Sequence, residues 1–126
     1  MGLEYTAAAL EHFRNPRNCG ELPDASAVGE AVNPGCGDRL RISLKIEGGR
    51  VVAVRFKAFG CIAAIASASR LTELVTGRTV EAARALTNVE VAESLGGLPE
   101  GKLACSVLAE QGLRAAFEDW TRRTTG

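Results

Sequence analysis

Four cysteines, Cys19, Cys36, Cys61 and Cys105, are the residues in this chain best able to do chemistry together. Thiolates are nucleophiles and soft metal ligands. No two of them have the C-x-x-C spacing of a zinc finger or a thioredoxin-type dithiol, so any meeting between them has to come from the fold. The N-terminal stretch "MGLEYTAAALEHF" has neither the basic nor the apolar region of a signal peptide, which reads as a cytoplasmic chain. In that compartment four cysteines point to metal binding or thiol chemistry rather than to a disulfide framework. Asp38, two residues after Cys36, adds a carboxylate that could join a thiolate pocket, and His12 is the only histidine.

The segment between Cys36 and Cys61 decides whether those two approach. From Arg39 to Ile46, Leu40, Ile42, Leu44 and Ile46 alternate with Arg39, Arg41, Ser43 and Lys45, as in a half-buried strand. Val52, Val54, Phe56 and Ala58 continue the pattern against Arg55 and Lys57. Opposed residues of a hairpin share a face, so the even-numbered apolar sets must pair with each other. That requirement excludes a two-residue Gly48-Gly49 turn with Ile46 opposite Val51. It favours a three-residue loop with Ile46 opposite Val52 or Arg50. Either register puts Cys36 opposite Ile62 or Gly60, one strand spacing of about 4.8 Å away.

Beyond Gly60 the period becomes helical. Leu3 to Phe13, Cys61 to Thr76 and Cys105 to about Arg122 read as helices, with Gly77 as a C-terminal stop. Two short ones are capped by Thr79 and Asn88. Cys61 and Cys105 each open a helix, where the dipole and free N–H groups favour a thiolate. The competing reading is that these cysteines are small buried hydrophobes. Strands followed by helices predict an α+β chain with helices on one face of a small antiparallel sheet.

Composition narrows the function classes. The 126 residues are 46% hydrophobic and 24% charged, with fifteen basic residues balancing fifteen acidic ones. That length suits one domain spanning residues 1–126. The even balance gives no basic footprint for nucleic acid, and no run approaches the roughly 20 apolar residues of a membrane helix.

Four stretches together make the chain recognisable: "EHFRNPRNCG", "CGD" at Cys36 to Asp38, "RFKAFGC" to Cys61 followed by "AIASAS", and "CSVLAE" from Cys105. In this order and joined by the hairpin, they resemble the iron–sulfur cluster assembly scaffolds of the NifU/IscU type, nearly end to end. The resemblance implies a three-stranded antiparallel sheet with helices on one face. It also implies that Cys36, Cys61 and Cys105 hold a transient 2Fe–2S cluster, or zinc in the isolated protein, with Asp38 as the ligand that keeps the cluster labile. Implied partners are a cysteine desulfurase and apo iron–sulfur acceptor proteins, and the role is that of a carrier, not an enzyme. Both a monomer and a homodimer stay open.

The chain departs from the family pattern in several places. Ala104 stands where a histidine usually precedes the third cysteine. Ile62-Ala63 replaces the glycine-serine after the second. "LPEGK" only partly matches the Leu-Pro-Pro-Val-Lys signal of a dedicated Hsp70 chaperone, which argues against that partner. The position of His12 is not a ligand in the family, so a structural or surface histidine is expected. Cys19 falls where relatives carry an apolar residue and is expected to be a packed thiol, with a fourth ligand as the alternative. Lys102 reads either as an electrostatic aid to sulfur transfer or as a solvated loop lysine. The Arg39/Arg41/Lys45 and Arg55/Lys57 rows are expected on the wet side of the sheet. Two other functions compete: a zinc-dependent sulfurtransferase fed by a cysteine desulfurase, and a degenerate scaffold-fold binding module.

Overall fold

The computed structural model describes residues 5–33, 37–99 and 101–125. In chain order the elements are α1 (Ala7–Arg14), β1 (Ala27–Asn33), β2 (Asp38–Glu47), β3 (Arg50–Phe59), α2 (Ile62–Val75), α3 (Val80–Arg84), α4 (Asn88–Ser94) and α5 (Leu103–Thr125). The strands form one antiparallel sheet in the order β1-β2-β3. Leu40, Ile42 and Leu44 of β2 and Val54 and Phe56 of β3 are buried beneath the helices, as their alternation predicts.

The turn corrects the expected hairpin. Gly48 and Gly49 do make a two-residue connection, with φ of 59° and 76°, and Ile46 does face Val51. Two consecutive residues at positive φ suit the right-handed twist of a hairpin, and glycine adopts both without strain. The even-with-even match is restored one step later, because Lys45 faces Ala53 and Val52 is extruded as a bulge. Val51 therefore takes the core position expected of Val52, which is 45% exposed. Past the bulge the pairing runs unbroken to Arg39 opposite Phe59.

β1 supplies the third strand, in a stretch the hydrophobic pattern does not mark. Its residue Gly29 explains how it packs. A Cβ built there would lie 2.2 Å from the Ala116 nitrogen and 2.4 Å from the Gly112 oxygen, so the α5 backbone rests directly on the strand. Gly112 continues the close approach, since a side chain there would meet Leu40 Cδ2 at 2.9 Å. A glycine inside a helix costs about 1 kcal/mol relative to alanine; here it sits where α5 meets the sheet. α5 covers β1 and β2, α2 covers β3, and α1 packs against α2.

α2 is rich in alanine and serine because it has neighbours on several sides. Ala63, Ala64, Ala66, Ser67, Ala68 and Ser69 are all buried. One link to α1 is polar. Ser69 Oγ accepts the Arg17 N–H (2.8 Å) and lies 2.7 Å from His12 Nδ1, while His12 Nε2 is 3.1 Å from Glu73 Oε1. His12 is thus a buried structural residue, in line with expectation.

Residues 18–20 pair with the free edge of β3, and the chain from Glu21 to Asp24 then reaches over the face away from the helices. Phe56 exchanges backbone hydrogen bonds with Asn18 and Gly20, and Glu21 then reaches Arg41 and Lys57 while Asp24 reaches Lys45. Much of the basic row is therefore paired rather than simply solvated, and Ser43 beneath it is only 2% exposed. Helix boundaries shift modestly. Thr87, not Asn88, caps α4 through a reciprocal bond with Glu90, and α5 begins two residues before Cys105.

Candidate metal centre

Three ligand-type atoms converge where the sheet meets the helices. The carboxylate of Asp38 and the sulfurs of Cys61 and Cys105 all lie within 4.8 Å of one another. Asp38 is the first residue of β2 and is 5% exposed; Cys105 is 7% exposed and Cys61 is partly buried. The Cys61 thiol points at Asp38 Oδ2 across 3.8 Å. Ligands on one tetrahedral ion at bond lengths of about 2.0–2.3 Å would stand roughly 3.3–3.8 Å apart, so modest closure would let all three bind.

Each element contributes for a local reason. The unbroken register past the bulge carries β2 alongside β3 to the sheet end, bringing Asp38 beside the Phe59–Cys61 turn. Cys61 is the N-cap of α2, in extended backbone (φ −78°, ψ 173°), and its side chain makes no capping bond. That leaves the sulfur available for another partner at a helix end that favours an anion. Cys105 is the third residue of α5, with its N–H donating to the Lys102 carbonyl at 3.0 Å. Both expected helix-start cysteines are therefore in first-turn positions, although Cys105 does not open its helix.

The other expected site residue, Cys36, lies outside the described residues. Cys19 does not join this group among the described residues, and it corrects the packed-thiol expectation. It is exposed, carried on the short segment bridged to β3 at Phe56. The backbone bonds at that bridge are made by its neighbours, the Asn18 carbonyl and the Gly20 N–H, while the Cys19 carbonyl accepts from Arg55 Nη1 at 3.3 Å.

Sequence reasoning missed Tyr5. It packs against Ala9, Ala66 and Leu95. Burial, together with negative charge on Cys61 and Cys105, holds its phenol above the ordinary range, while the Lys102 ammonium and the Ala63 N–H pull the other way. Its only sequence signal is that it is the sole tyrosine, just before the Thr6 cap of α1.

Two soft thiols and one hard carboxylate, drawn from three elements, make a donor set suited to zinc or iron. Comparison with known proteins agrees with this geometry. The NifU-like N terminal domain matches residues 4–126. The chain belongs to that family. It is 45% identical over 119 residues to the iron-sulfur cluster assembly scaffold protein IscU 1 of Archaeoglobus fulgidus, covering 94% of this chain and 78% of that one. It is 44% identical over 122 residues to the scaffold protein IscU of Aquifex aeolicus, covering 95% and 78%. The fold matches the crystal structure of a nitrogen-fixing NifU-like protein (N-terminal) from Brucella abortus with a TM-score of 0.72, at 21% identity over 93% of this chain and 94% of that one.

Proposed function

We propose that this NifU-family protein is a scaffold on which an iron–sulfur cluster is built and from which it is passed on. The observation that carries the reading is the convergence of Asp38, Cys61 and Cys105 within 4.8 Å, in a chain whose relatives bear scaffold names. Cys36, two residues before Asp38, is the third thiolate of this reading. The cluster, of the 2Fe–2S type, is cargo rather than a resident cofactor. Thiolates supply affinity for iron; the carboxylate, a harder and weaker ligand for a sulfide-bridged cluster, is the point at which an incoming acceptor ligand displaces the protein. The partners are a cysteine desulfurase that supplies sulfur and apo-proteins that accept the cluster. The chain itself turns over no substrate, and residues 1–126 act as one domain.

A second reading is favoured by the same donor set, because two thiolates and a carboxylate also suit zinc. In it, zinc positions a cysteine to take sulfur from the desulfurase. A thiolate attacks the outer sulfur of the donor persulfide, a new S–S bond forms, and the donor cysteine leaves as thiolate. The test is anaerobic loading with ferrous iron and sulfide, then mixing with apo-ferredoxin. A cluster spectrum that leaves this protein as the ferredoxin spectrum grows supports the scaffold. Retained zinc, no cluster, and acceptance of sulfur from a desulfurase support the alternative.

A further inference from the structure

Gly60 lies between β3 and the Cys61 cap of α2, and its backbone does not need glycine's conformational freedom, because its φ lies outside the left-handed region. What it lacks is room. A Cβ there would stand 2.8 Å from Asp38 Cγ, 2.8 Å from Oδ1 and 3.1 Å from Cβ. Nothing else lies among its three nearest heavy atoms. The Asp38 carboxylate therefore rests on the bare backbone of Gly60, where it is almost fully buried and 3.8 Å from the Cys61 sulfur.

We infer that Gly60 is the positioning residue for the Asp38 carboxylate, and that the missing side chain is what admits a hard ligand into the sulfur pocket. The inference rests on the proposed metal site and adds the reason its carboxylate can reach the thiols. The two shortest contacts fall on the carboxyl end of a side chain that can rotate, and the third, at 3.1 Å, falls on its Cβ. Adding a methyl at position 60 therefore displaces Asp38 and leaves Cys61 and Cys105 on their helices. The result is a pocket with its thiols in place and its carboxylate turned out, distinct from the loss of a sulfur ligand. A group that orients a metal ligand is worth about 10–100-fold in metal affinity.

The experiment is a double-mutant cycle of Gly60→Ala and Asp38→Ala, read by anaerobic Co²⁺ titration and by thermal unfolding of the metal-free chain. Cobalt reports thiolate ligation through sulfur-to-metal charge transfer and the remaining ligands through its ligand-field bands. Gly60→Ala is expected to weaken Co²⁺ binding about 10–100-fold. It should keep the thiolate charge-transfer band and give the ligand-field spectrum of Asp38→Ala. In the Asp38→Ala background it should change neither affinity nor unfolding temperature further. A Gly60→Ala protein that binds Co²⁺ as the wild type does, or whose effect is undiminished when Asp38 is alanine, would overturn the inference. If Gly60→Ala alone fails to fold, recovery of folding in the double variant supports the contact with Asp38, and failure of both overturns it. An unchanged Co²⁺ affinity in Asp38→Ala would sink the metal-site reading instead, while the thermal cycle still decides whether residue 60 holds residue 38.

Discussion

Asp38 differs in kind from its neighbours, being the hard donor in a group whose other members are sulfurs. Its burial at 5% exposure and its place at the first residue of β2 fix the carboxylate where a mobile surface acid would not stay. Asp38→Ala is expected to load a cluster but to release it to apo-ferredoxin several-fold more slowly, because the route for ligand exchange at the carboxylate is gone. Transfer kinetics followed by the acceptor's circular dichroism check this; faster release would contradict it. Much at this scale is legible in the sequence. Asp38, Cys61 and Cys105 can be nominated from residue chemistry, hairpin register and family resemblance, and they do meet. Tyr5 cannot, because its packing against Ala66 and Leu95 joins parts of the chain far apart in sequence, which no local pattern encodes.

At the scale of elements, α1 and α2 are joined by the His12–Ser69–Glu73 chain. Ser69 Oγ accepts the Arg17 N–H, and the Glu73 carboxylate can only accept, so His12 Nε2 carries the proton and, in the neutral ring, Nδ1 accepts the Ser69 O–H. That arrangement fits neutral imidazole. Burial lowers the His12 pKa below 6.5, the Glu73 carboxylate opposes the shift, and Arg17 and Arg70 reinforce it against Glu11. The unfolded chain therefore binds the proton more tightly. The stabilisation is full above about pH 6.5 and is lost as the pH falls from there through the folded value. Unfolding midpoints in urea should fall over that window, and His12→Gln should flatten the slope; an equal slope in the variant would contradict the assignment. Packing of α5 on β1 gives a second expectation. Gly29→Ala drives a Cβ into α5 backbone and should cost about 1–3 kcal/mol or more by urea denaturation. A change below about 0.5 kcal/mol would show that the helix can shift freely. The same glycine shows why β1 escapes the sequence pattern: with Ala27, Gly29 and Ala31 on its inward face, the strand offers no large apolar side chain to read. The hairpin turn fails for a different reason. Even-with-even pairing is the right constraint, but a bulge at Val52 satisfies it as well as a longer loop does.

Over the whole molecule, the two faces of the sheet carry separate tasks. One builds the core with α2 and α5, and the other is partly covered by the segment whose Glu21 pairs with Arg41 and Lys57 and whose Asp24 pairs with Lys45. The candidate centre lies at the sheet end where β2, the start of α2 and the start of α5 come together. None of the described helices is long and apolar enough to cross a membrane. The α+β order of elements is legible from periodicity. The covering segment is not, because its acids pair across distances that only the finished fold sets. The central claim is that this end of the molecule is one metal-binding pocket on which a cluster forms. Anaerobic reconstitution with ferrous iron and sulfide, followed by visible absorption, tests it most directly in the wild type and in Cys61→Ser, Cys105→Ser and Cys19→Ser. Sulfur-to-iron charge-transfer bands should develop in the wild type and in Cys19→Ser, and should be lost in Cys61→Ser and Cys105→Ser while circular dichroism shows the fold intact. Bands that develop equally in all four proteins, or in none, would contradict the account.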